Sequence, residues 1–355
     1  MDKTKSRLRK LKTILSEKGL PAILISQPEN RYYLSGFNGS AGYLLIMQDG
    51  QLLATDFRYV EQVKQQAPDY RLFEIKGEMS KWLPDFVAGL GLKELSFEAE
   101  DITYDKYGKL KEILAPLNIE LKPSSGIVEG LRAVKEACEV ALVERAVAVS
   151  DAAIEHIRDI AVPGMTELQV AWRIEKYMRE HGSQAVPFEV IVAAGPNAAL
   201  PHHRPSDYVI RTGEPIIIDI GARCDGYVSD LTRTICLRGK DTQFCRIYDI
   251  VLKAQTAAEE QIRSGMGGIE ADSIARNIIQ SAGYGDKFGH ALGHGLGLAI
   301  HEKPLMASTS KDVLSDGMVF TVEPGIYLPE WGGVRIEDTV VLEHGKIRVL
   351  SGAKK

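Results

Sequence analysis

Cysteine is scarce in this chain: four in 355 residues, at positions 138, 224, 236 and 245, with no C-x-x-C pair among them. That excludes a disulfide framework and a paired-thiol motif, and the expected setting is a reducing, cytoplasmic one. Apolar runs are short, and none approaches the ~20 residues that cross a bilayer. Residues 3–18 are rich in Lys and Arg but lack the apolar stretch of a secretory signal; Leu8, Leu11 and Leu15 recur there at helical spacing, which predicts an amphipathic surface helix. Neither sign of charge dominates. A formal net charge of −5 creates no field to draw in nucleic acid or an anionic membrane, so neither is expected as a partner. With 45% apolar and 26% charged residues, what remains is an ordinary globular protein long enough for two domains.

The most informative stretch is residues 216–234, I-I-I-D-I-G-A-R-C-D-G-Y-V-S-D-L-T-R-T. It opens as a buried strand, and Asp225-Gly226 is a hairpin turn dipeptide. With those two in the loop, Cys224 faces Tyr227, Gly221 faces Asp230 and Asp219 faces Thr232. Side chains alternate between faces, so Asp219 and Asp230 become diagonal neighbours on one buried face. Two carboxylates together away from water require either a proton on one of them or a cation between them.

Further candidate ligands follow. Residues 290–302 read H-A-L-G-H-G-L-G-L-A-I-H-E, with glycine also at 289. That is too much glycine for a helical histidine pair, and Leu305 stands where H-E-x-x-H from His301 needs its second histidine. Two strand-like runs, V-F-T-V-E-P-G-I-Y at 319–327 and V-R-I-E-D-T-V-V-L at 334–342, each carry one central glutamate, Glu323 and Glu337.

The ordered set Asp219, Asp230, His294, Glu323 and Glu337, with L-P-H at 200–202 upstream, resembles the dinuclear metallopeptidases of the pita-bread fold: methionine aminopeptidase, aminopeptidase P and prolidase. The resemblance implies an α/β (α+β) protein whose catalytic domain, residues 126–355, has pseudo-two-fold symmetry. A smaller creatinase/prolidase-like α/β domain, residues 1–125, precedes it. Alternating short strands and helices before residue 125 agree with that division, and Pro123-Ser124-Ser125-Gly126 is the expected linker. Long helices are expected over 134–159 and 244–263, each followed by a Pro/Gly-containing break and a shorter helix. The first of these shorter helices opens with the T-x-x-Q capping box of Thr166 and Gln169.

By the same resemblance, Asp219 would chelate one metal, Asp230 and Glu337 would bridge two, and His294 with Glu323 would complete the other site. Four acids and one imidazole balance two divalent cations, and oxygen-rich ligation favours manganese, with cobalt, iron or zinc as alternatives. Burying the four acids without cations would be prohibitively unfavourable, although Glu337 alone could be explained by an ion pair with Arg335. The expected nucleophile is a hydroxide bridging the two metals, with Glu323 carrying its proton to the leaving nitrogen. His202 and His301 match positions that hydrogen-bond substrate, and His290 matches a further histidine near it. Arg335 would orient a carboxylate ligand. His203 would point away from His202 on extended backbone.

The implied activity is removal of an N-terminal residue that precedes proline, from a peptide with proline in second position, by a homodimer. The N-terminal domain argues against methionine aminopeptidase. The full ligand set argues against creatinase and against the metal-free, non-catalytic peptide-binding members of the fold. Between Xaa-Pro aminopeptidase and Xaa-Pro dipeptidase (prolidase), the aminopeptidase is favoured at this point. The arginine that some prolidases place in H-E-x-P-R is Leu305 here, in His301-Glu302-Lys303-Pro304-Leu305, and an arginine fork is well suited to a substrate carboxylate.

Overall fold

The short apolar runs of the first third assemble into one sheet. A computed structural model describes residues 3–239 and 241–355, and the chain divides into two compact units, Met1–Arg132 and Ala133–Lys355. In the first unit, helix Lys3–Glu17 buries Leu8, Leu11 and Leu15 on one face. Strands β1 (Ala22–Ile25), β2 (Tyr43–Met47), β3 (Gly50–Asp56), β4 (Arg71–Ile75), β5 (Glu94–Glu98) and β6 (Glu120–Ser124) form a mixed sheet in the order β4-β3-β2-β1-β5-β6. Pro123 and Ser124, expected in a linker, instead close the edge strand β6, where a missing backbone N–H leaves no ladder bond unmade.

The second unit repeats one construction. Helices Ala137–Ile160 and Glu167–Glu180 share an apolar core with the three-stranded sheet of β7 (Ile191–Ala194), β8 (Pro215–Ile220) and β11 (Leu231–Cys236). Helices Thr242–Gln261 and Gly268–Ser281 share a second core with the five-stranded sheet of β12 (Gly293–Gly295), β13 (Glu302–Met306), β14 (Val319–Val322), β17 (Asp338–Glu343) and β18 (Lys346–Val349). Two small ribbons complete it, β9 (Arg223–Cys224) with β10 (Tyr227–Val228), and β15 (Gly325–Leu328) with β16 (Gly332–Arg335). Thr166 accepts from the Gln169 N–H while the Gln169 side chain accepts from the Thr166 N–H, so both halves of the capping box form. The two halves meet along β11: the Glu337 N–H donates to the Thr232 carbonyl at 3.1 Å, and Thr234 exchanges two hydrogen bonds with the Arg335 backbone. This is the pita-bread architecture, a mixed α/β catalytic unit after a smaller α/β one.

Candidate active site

The hairpin sets the site's first two carboxylates. Asp225 and Gly226 both have positive φ, 48° and 85°, as a tight two-residue turn requires. Cys224 pairs with Tyr227, and Asp219 with Thr232. At Gly221 a Cβ would lie 2.5 Å from Pro187 Cγ and 2.6 Å from the Ser229 carbonyl, so only glycine lets the strand pass there. Glu337 enters from the seam between the halves, its carboxylate accepting from the Thr232 hydroxyl at 2.6 Å.

One ligand oxygen from each of Asp219, Asp230 and Glu337 lies within 4.8 Å of the others. His294 Nε2 stands 3.6 Å from Asp230 and 3.4 Å from Glu323. Thr321 spans the gap behind them, its hydroxyl accepting from the His294 N–H and donating to Glu323. All five border a single cavity of about 340 Å³. Burial, and then the neighbouring acids, push Asp230 and Glu337 well above the usual carboxylate range, and burial raises Glu323 as well. Burial lowers His290, His294 and His301. Asp219 Oδ1 is buried with no hydrogen-bond partner. Clustered acids that favour protons, an imidazole kept neutral and an orphaned carboxylate oxygen are the donor set that divalent cations satisfy.

Arg335 does not pair with Glu337 among the ion pairs of the described residues. Its Nη2 donates to Asp219 at 2.6 Å, Nε to Thr232 and Nη1 to Tyr327 and to the Pro201 carbonyl. The Tyr327 hydroxyl lies 2.9 Å from His290 Nε2, and His290 Nδ1 lies 2.8 Å from its neighbour's carbonyl, so both ring nitrogens of His290 are occupied within the protein. His301 is exposed, edge-on to the His294 ring at 4.3 Å. His202 is exposed at the cavity wall, and beside it His203 borders the cavity while donating to Glu167.

Three participants had no motif to reveal them. Glu167 opens a helix; Glu302 accepts from the Leu298 and Ala299 N–H groups and from buried Lys135 Nζ at 3.1 Å, fastening the loop before His301. Tyr327 links Arg335 to His290 across a strand. Each has at least one partner distant in sequence, so only capping position and apolar context hinted at burial.

Residues 141–344 match metallopeptidase family M24, and residues 7–134 match the creatinase/prolidase N-terminal domain. The chain belongs to metallopeptidase family M24. A Xaa-Pro dipeptidase of Pyrococcus horikoshii is 36% identical over 96% of this chain and 95% of its own. Among solved structures, a Xaa-Pro dipeptidase from Bacillus anthracis superposes with a TM-score of 0.95 at 39% identity, covering 99% of this chain and 98% of the other. An X-Pro aminopeptidase from Thermotoga maritima gives 0.90 at 34%, covering 98% of each.

Proposed function

We propose that this chain is a Xaa-Pro dipeptidase that hydrolyses the bond between an amino-terminal residue and a carboxyl-terminal proline and requires two divalent metals, manganese being the first candidate. The observation that carries it is near full-length similarity to Xaa-Pro dipeptidases combined with an intact cluster of Asp219, Asp230 and Glu337. This reverses the preference drawn from Leu305. That side chain sits on β13, and among the described residues it does not border the cavity, whereas Arg204 does. Arg204, exposed and 3.2 Å from Glu189, supplies a cation for a substrate carboxylate.

In this reading Asp219 and Asp230, with His294, Glu323 and Glu337, hold the metals. The chemistry these supply when bound is Lewis acidity, which polarises the scissile carbonyl and activates water. Glu323, raised by burial and steadied by Thr321, takes a proton from the attacking water and delivers it to the proline nitrogen, which must be protonated to leave. His202 and His301 present exposed imidazoles to the substrate carbonyl region. Arg335 holds Asp219 in orientation through its 2.6 Å hydrogen bond. His290, occupied through both nitrogens, shapes the wall.

The second reading is a Xaa-Pro aminopeptidase, supported by the Thermotoga maritima similarity and by the absence of arginine at 305. Hydrolysis of Ala-Pro beside Ala-Pro-Ala by manganese-loaded protein, with Asp230→Ala as the inactive control, tests the choice. Preference for Ala-Pro is expected. Faster cleavage of the tripeptide would reinstate the aminopeptidase, and no metal-dependent cleavage of either would favour a non-catalytic peptide-binding role.

A further inference from the structure

His202 forms none of the hydrogen bonds or ion pairs described above, and its ring stands exposed at the cavity wall. An imidazole in that state is aimed only by its backbone. That backbone is held on both sides by one fully buried carboxylate, Glu167, on the first turn of helix Glu167–Glu180. Its Oε1 accepts from the Ala194 N–H at 2.8 Å and from Asn197 Nδ2 at 3.0 Å. Its Oε2 accepts from His203 Nε2 at 2.8 Å, from the Ser206 N–H at 3.0 Å and from the Ser206 hydroxyl at 2.7 Å. Five donors from four residues converge on it, and His202 lies inside the segment they bracket. The Pro201 carbonyl is held separately by Arg335 at 3.3 Å, which ties the same turn to Asp219.

We propose that Glu167 is the positioning residue for His202, acting chiefly through His203, its immediate neighbour. A side chain fixed on one carboxylate at 203 leaves the preceding residue little freedom to turn, so the His202 ring stays where a substrate oxygen arrives. The cost of losing that aim is large in chemistry and small in contacts, because a displacement of about an ångström lowers turnover by up to ~10²-fold. Carboxylate chemistry matters here: in Glu167→Gln an amide N–H₂ would confront N–H and O–H donors that now share an acceptor.

The inference rests on the peptidase role given to His202. Its test is a double-mutant cycle on the metal-loaded full chain, with Glu167→Gln and His202→Ala made singly and together. Turnover of Ala-Pro, bound metal by elemental analysis and thermal midpoint would be read for each. Glu167→Gln alone is expected to lower kcat/KM by ~10-fold or more with metal content unchanged, and to cost nothing further once His202 is alanine. If Glu167→Gln does not fold, His203→Gln enters the same cycle, with the same expectation. An undiminished penalty in the His202→Ala background, a loss of metal, or no penalty at all would overturn the inference while leaving the peptidase reading intact. Full activity in His202→Ala alone would overturn the role of His202 and this inference with it.

Discussion

At Asp230 two demands oppose each other. Its carboxylate is buried beside Glu337, Asp219 and Glu323, and without a cation it would hold a proton. Asp230→Asn removes the cost of either protonating or charging that carboxylate on folding at neutral pH, so the metal-free variant should be more thermostable than metal-free wild type, yet gain nothing on adding manganese. Wild type should gain about 2.7 kcal/mol when free metal reaches ~100 times its Kd. Calorimetry with and without chelator checks both. His202 is different because it is exposed and sits apart from that cluster. His202→Ala should retain both metals and lose ~10²–10³-fold in kcat/KM, the scale of a lost transition-state donor; elemental analysis and steady-state kinetics would show it.

At the scale of the element, the hairpin decides the site. Its register follows from alternation and from the two positive-φ residues at its turn, and a one-residue slip would send Asp219 to the opposite face. Gly221 is the weak point because Pro187, Phe188 and the Ser229 carbonyl close on it. Gly221→Ala should destabilise by ~1–3 kcal/mol, measured by denaturant unfolding, and should weaken metal binding since Asp219 and Asp230 flank it on the two strands. Helix Glu167–Glu180 shows an element serving twice. Its capping box starts the helix, and the next residue, Glu167, reaches out of it to hold the His202 segment.

At the scale of the whole catalytic unit, the final residues are fastened to the core behind the site. Buried Arg233 donates to Asp338 at 2.7 Å and to the Glu337 and Ala353 carbonyls, while Lys355 Nζ reaches Asp338 at 2.6 Å and Glu259 at 3.2 Å. Burial, with Asp338 beside it, pushes Glu259 from its ordinary 4.5 up to about 8, Lys355 opposing. Between those values the folded chain holds a proton that the unfolded chain has released. Stability should therefore fall as pH rises through that window, and Glu259→Gln should flatten the slope. Denaturant midpoints across the range would show it. A slope unchanged in the variant would assign the dependence to another group.

The sequence by itself determined what is local: the strand and helix periods, the caps, the hairpin turn with its register, and the residue types of a metal site, each written within a few consecutive positions. Tertiary structure alone decided which partners those residues meet. Arg335 lies two positions from Glu337 yet binds Asp219, because β16 and β11 are stitched together through Thr234 and turn its guanidinium toward β8. Pro123 reads as a linker residue but lies within the edge strand β6, where a missing N–H is tolerated. Glu167 looks like an ordinary helix-start acid until folding surrounds it with donors from residues 194–206, and Glu302 shows nothing of its ion pair with Lys135 until the chain is folded. Burial and hydrogen-bond complementarity depend on which segments converge, and that is a property of the assembled chain rather than of any stretch of it.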